Sequence, residues 1–93
     1  MKLRSGKVVT SYTLIDIADC IIRSAFYLDS IVESADSTFA NLTNRGWGEE
    51  SQSFNKAEAV EIMEYLSPIC KNAYSDMMTA WLPVLKTLEE NIH

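Results

Sequence analysis

From residue 14 onward, apolar side chains recur at a spacing that alternates four and three. Leu14, Ala18, Ile21, Ala25, Leu28, Val32, Ala35, Phe39 and Leu42 form an unbroken series of this kind. A period of 3.5 belongs to a helix that buries one stripe, and it excludes a strand, whose period is 2. The opposite positions, Asp16, Arg23, Ser30 and Ser37, are polar. Thr13 followed by Asp16 has the form of an N-terminal capping box, with Asp in place of the usual Glu. The spacing predicts a first helix over about 13–44, roughly 45 Å long. A helix of that length needs a partner along most of its stripe.

The second half of the chain supplies one. Asn55 and Glu58 make another capping box, and Phe54 stands where a hydrophobic staple begins. Ala59, Met63, Leu66, Cys70, Ala73, Met77, Ala80 and Val84 then repeat the 4-3 spacing, with Leu85, Leu88 and Ile92 extending the face. This predicts a second helix over about 55–91. Ser67 before Pro68 suits a break and restart, or a kink, whereas Leu82 before Pro83 offers no cap and suits a kink alone. The expected architecture is all-α: an antiparallel helical hairpin, three-helical if Pro68 breaks the second arm, dimerising into a four-helix bundle. Residues 1–12, with Gly6 and the Val8-Val9 patch, read as a flexible basic tail, and 13–93 as a single helical domain.

Between the arms lies Asn44-Arg45-Gly46-Trp47-Gly48-Glu49, a tryptophan held between two glycines in a polar run. If the first helix ends with Gly46 as the left-handed residue after its cap, Leu42 and Trp47 occupy the two positions that touch in a Schellman ending. Trp47 then closes the helix end. Two helices joined by a Trp-Gly turn in under a hundred residues resemble the type VII secretion substrates, whose hairpins carry Trp-x-Gly. That resemblance implies a secreted helical hairpin. The chain departs from the pattern in having Glu49 where the motif has glycine. Its Tyr12-x-x-x-Asp16 spacing also falls at the start of the first helix instead of after the second.

Composition narrows the function classes. A chain of 93 residues, 47% hydrophobic and 23% charged, is a globular domain near the lower size limit for an unaided core. The net charge of −5 conceals an asymmetry. Without Lys2, Arg4 and Lys7, five basic residues remain against 13 acidic ones, so the body carries −8. Phosphate backbones and anionic membranes repel such a body. The basic N-terminus is not followed by the apolar stretch of a secretory signal, so a cytoplasmic location is expected.

Little in the sequence points to catalysis. The one histidine, His93, is the last residue, where a frayed imidazole is poorly placed for acid–base work. Glu58, Glu61 and Glu64 share one side of the second helix, but three carboxylates near a helix N-terminus are expected to be solvated. No enzyme activity, cofactor or metal is expected. Cys20 and Cys70, placed on an antiparallel hairpin, are offset by about 12 Å along the axis, too far for a disulfide, and read as free thiols.

The feature most in need of explanation is a surplus of apolar side chains. Ile15, Ile22, Phe26 and Tyr27 flank the stripe of the first helix, and Met78, Trp81 and Leu85 that of the second. In the antiparallel hairpin these lie together, away from the Gly46-Trp47-Gly48 turn. A surface of this kind is an interaction site. The expected function is therefore protein–protein binding by a small non-enzymatic protein: a regulator, inhibitor, immunity or adaptor protein of bacterial or phage type, and a homodimer. A secreted hairpin of the Trp-x-Gly kind is the alternative, and a carrier of a small apolar ligand the third reading.

Overall fold

The structure is a computed structural model. It describes the backbone of residues 1–92 and the side chains there, except those of Trp81, Leu85, Leu88, Glu89, Asn91 and Ile92. The expected terminal imidazole of His93 lies outside the described residues. The described chain is all-helical: α1 spans Ser11–Leu28, α2 Ile31–Asn41 and α3 Lys56–Ile92. Its bridge pairs are isolated ones, Lys2 with Val8 and Trp47 with Gln52.

The helix predicted over 13–44 is two helices. Asp29 takes the left-handed conformation (φ 54°, ψ 33°) and ends α1, and Ser30 in extended backbone begins α2, its Oγ accepting from Glu33 N at 3.2 Å. Ser30-x-x-Glu33 is the sequence form of a capping box. The chain then folds back. Ser34 Oγ donates to Ile21 O, and Thr38 Oγ1 to Cys20 Sγ at 3.8 Å, so α2 lies antiparallel on α1. Small side chains let the two helices approach: Ala25, Ser34, Ala35 and Thr38 are all buried. The even 4-3 series ran across this corner by coincidence. Its members at the corner, Leu28 and Val32, are exposed, whereas Ile17, which is not in the series, is fully buried.

The N-terminus of α1 also differs from the expectation. Thr10 is the cap, its Oγ1 accepting from Thr13 N at 3.2 Å. The Asn55–Glu58 capping box is present as read: Glu58 N donates to Asn55 Oδ1 at 2.9 Å, and Asn55 N to Glu58 Oε1 at 3.0 Å. Phe54 is buried beside it. No break occurs at Pro68. α3 runs as one helix through both Pro68 and Pro83.

α3 starts at the same end as α1 and runs parallel to it, since Phe26 near the end of α1 meets Tyr74 with ring centroids 5.2 Å apart. The bundle is therefore up-down-up. Its core is made by Ile17 and Ile21 of α1, Leu42 and Trp47 after α2, and Ala59, Ile62, Met63, Leu66 and Cys70 of α3. A helix of 18 residues is about 27 Å long and one of 37 about 55 Å. The molecule measures 57 × 22 × 20 Å. α3 thus sets the long axis, and its C-terminal half runs beyond the ends of α1 and α2.

Of residues 1–12, read as a flexible tail, 1–9 are packed and Ser11 and Tyr12 open α1. Gly6 (φ 92°) turns the segment back, with Leu3 N donating to Lys7 O at 2.9 Å and Val9 N to Met1 O at 2.7 Å. Leu3 and Val9 enter the core. The segment is anchored on α3 by its own polar groups: Ser5 Oγ donates to Glu58 Oε2 at 2.7 Å, and Arg4 N to Glu61 Oε1 at 3.0 Å. Two buried apolar side chains and acceptors on α3 hold in place what its composition alone made a tail.

Candidate functional site

The turn after α2 is built from the backbone outward. Trp47 and Gln52 exchange two backbone hydrogen bonds, 2.8 and 2.9 Å, around a tight turn in which Ser51 N donates to Gly48 O at 3.1 Å. The left-handed residues are Gly48 (φ 74°) and Ser51 (φ 49°), not Gly46. α2 has already ended at Asn41, with Leu42 in the right-handed helical region, so the Schellman ending expected at Gly46 is not formed. Gly46 is required for another reason: a Cβ there would lie 2.9 Å from Ser51 Cα.

Trp47 is fully buried, and Leu42 shares its core cluster. Thr13 Oγ1 donates to Trp47 O at 3.3 Å, and Gly48 N donates to Asp16 Oδ2 at 2.9 Å. Thr13 and Asp16, read as a capping box, instead tie the turn to the first turns of α1. The Arg45 guanidinium lies 3.5 Å from the centroid of the Trp47 ring and 3.7 Å from Asp16 Oδ2. Trp47 Nε1 has no acceptor among the described residues. The indole is thus a wall of the core, covered by a cation on its outer face.

The carboxylate row on α3 also has specific work. Glu58 is buried, and the backbone N–H of Asn55, then Ser5 Oγ and Lys7, hold its carboxyl below the usual range against the opposing effect of burial. Lys7 Nζ is 3.4 Å from Glu58 Oε1 and 5.2 Å from the Phe54 ring. Glu61 receives Arg4, and Glu64 is exposed. Two of the three charges of the basic segment are therefore engaged within the chain.

The apolar surplus divides between the two ends of the bundle. Ile15 is exposed at the turn end, in an open groove of about 500 Å³ with Tyr12, Asp16, Asp19, Arg23, Gly48 and Glu49. Phe26 lies about 16 Å further along α1. The expected grouping of Ile15 with Phe26, away from Trp47, is not formed, because it assumed an antiparallel partner for one long helix. Ile22 is half-buried and packs on the core. Phe26 and Tyr27 are exposed at the far end, Tyr27 by 90%, with Leu28 and Val32 beside them on the corner. Half-buried Met78 is one helical turn past Tyr74. The side chains of Trp81 and Leu85 lie outside the described residues. Met77, Leu82 and Val84 on the same stretch of α3 are exposed.

Cys20 and Cys70 are both free. The offset expected from an antiparallel register is not the reason, since α1 and α3 are parallel. Burial pushes the Cys70 thiol up. Among the described residues, no helix is long and apolar enough to cross a membrane.

No family model matches this chain, and no curated protein or solved structure is significantly similar to it. The Trp47-Gly48 turn joins α2 to α3 in a three-helix bundle and not the two arms of one long hairpin. The likeness to Trp-x-Gly hairpins is thereby reduced to a tryptophan beside glycine in a turn.

Proposed function

We propose that this protein works by binding another protein chain through the far end of its bundle. It is a small cytoplasmic, non-enzymatic protein of the regulator, inhibitor, immunity or adaptor type, bacterial or phage, and it self-associates. One observation carries the reading. The described apolar side chains on the end where α3 outruns α1 and α2, Phe26, Tyr27, Val32, Met77, Leu82 and Val84, are each exposed. A concentration of exposed apolar side chains supports an interaction site, and methionines and aromatics are favoured there. The acidic body, with Arg4 and Lys7 engaged by Glu61 and Glu58, supports a protein partner over nucleic acid.

The test is affinity capture from the native host with the wild-type chain and with Tyr27→Glu and Leu82→Glu. Both positions are exposed in the single chain, so the variants should keep its helical fold. A protein captured by the wild type should be lost with each variant. Undiminished capture by both would place the binding surface elsewhere.

A further inference from the structure

We infer that the occupant of this surface is a second copy of the chain, with the C-terminal halves of the two α3 helices paired antiparallel about Pro83. The inference rests on the protein-binding reading above and names its partner. Tyr74, Met78, Trp81, Leu85, Leu88 and Ile92 are spaced 4-3-4-3-4 along α3. At 3.6 residues per turn they fall within about 80° of arc, a stripe that continues the buried row ending at Cys70. The stripe enters the bundle at Tyr74, against Phe26. Beyond that point α1 and α2 have ended.

The N-terminal segment is not available to cover it. That segment is fixed at the opposite end, with Leu3 and Val9 in the core and Ser5 and Arg4 on Glu58 and Glu61. The cover is therefore not this segment.

The stripe is complementary to itself. Turned about residue 83, position 74 of one copy pairs with 92 of the other, 78 with 88, and 81 with 85. In sequence, each pairing sets an aromatic residue or methionine against an aliphatic one. Of the charged positions, Glu89 falls on a flank and the others lie on the outer side. On the helical wheel Asp76, Lys86 and Glu90 fall within about 60° of the direction opposite the stripe. Pro83 lies opposite it as well, so the hydrogen bond it cannot make is on the outer side. The exposed Met77, Leu82 and Val84 fall on the flanks, where a paired helix would cover them.

The size is adequate. The overlap runs about 27 Å over residues 74–92, and the tip of each helix reaches the Phe26–Tyr27 corner of the other copy. Aromatic side chains bury roughly 150–250 Å² each. The exposed Met77, Leu82 and Val84 on the flanks, with Phe26 and Tyr27 on the corner, therefore supply a substantial part of the ~800 Å² per partner of a stable interface. The result is two three-helix bundles bridged by a pair of stalks. It differs from the four-helix bundle of two hairpins that the sequence pattern suggests.

Light scattering coupled to size exclusion should give twice the 10.5 kDa chain mass at micromolar concentration. Cysteine cross-linking with peptide mapping fixes the direction. Val84→Cys, next to the axis, should link to its own copy. Ser75→Cys should not, but should link to Glu89→Cys when the two variants are mixed. A Ser75→Cys link to itself indicates parallel pairing and overturns the inference, as does a mass of 10.5 kDa across the micromolar range. Leu85→Glu should halve the mass of the assembly, and Lys86→Glu, on the outer face, should not. A monomer in which Leu85→Glu abolishes capture of a host protein refutes the self-pairing and keeps the binding surface. A folded Leu85→Glu chain that changes neither mass nor capture refutes both.

Discussion

Replacing Gly48 by alanine tests the closest approach in the turn, and Gly6 provides the control. Both glycines have positive φ, 74° and 92°. Alanine in either place costs about 1–2 kcal/mol for the left-handed backbone. Both substitutions also stiffen the unfolded chain by a similar amount, so that effect cancels in the comparison. The surroundings differ. A Cβ at Gly6 meets nothing within 4 Å, whereas one at Gly48 would lie 2.9 Å from Thr13 Cα and 3.1 Å from Thr13 N. Those are backbone atoms of α1, which cannot swing aside. The turn must move, at about 1–3 kcal/mol for overpacking, and the Gly48 N to Asp16 bond stretches with it. Gly48→Ala should therefore lose about 3 kcal/mol against about 1 for Gly6→Ala. For a domain of this size that is a fall in Tm of roughly 12–24 °C against 4–8 °C. Urea unfolding with an unchanged m-value would show that stability changed without a change in the surface exposed on unfolding. Equal losses for the two variants would show that the turn does not sit against Thr13.

Three further outcomes are expected. Asp29→Ala should destabilise by about 1 kcal/mol, because alanine resists the left-handed conformation of the corner; in one continuous helix the same change would stabilise by a few tenths, so the sign in chemical denaturation decides. Glu58→Gln should weaken the fold at neutral pH: the folded carboxyl lies below its ordinary value near 4.5, so its contribution is complete above that value and fades as pH falls through the folded one, and the gap between wild type and variant should close in acid. Thiol labelling of the native protein should find both cysteines reduced and modify half-buried Cys20 before Cys70, whose thiol is buried and raised; a mapped 20–70 disulfide would contradict it.

The helical class was legible because period 3.5 is a global property of the pattern and survives local errors. The Asn55–Glu58 cap was legible because both partners lie within one turn. The corner at Asp29–Ser30 was not. Its signal, Ser30 with Glu33, was present in the sequence, but the apolar series continued through it in phase, and a series in phase reads as one helix. That single error propagated. It made the bundle two-helical and set Ile15 beside Phe26. It also gave the cysteines a register that parallel helices do not have. The N-terminal segment was misread for a different reason: its order depends on Glu58 and Glu61, more than fifty residues away, and no local propensity encodes such a contact. Trp47 is the intermediate case. Two flanking glycines announced a close-packed turn, but which glycine is left-handed depends on the contact with Thr13.

The two ends of the bundle are built differently, and the difference bears on function. At the turn end the polar groups, Trp47 Nε1 apart, are matched: the backbone of the Trp47 turn to Thr13 and Asp16, and Glu58 to Asn55, Ser5 and Lys7. Leu3, Val9, Leu42 and Trp47 are buried there. A protein that needed only to fold could seal its other end in the same way. Instead α1 stops at Leu28 and α3 continues to Ile92 with apolar side chains at helical spacing. A lone helix of that composition in water gains little from its own hydrogen bonds and exposes its apolar face, so it draws its stability from whatever packs against it. Substitutions at the turn end should therefore act on folding independently of concentration. Those on the α3 stalk should act through association, and become more severe as the protein is diluted.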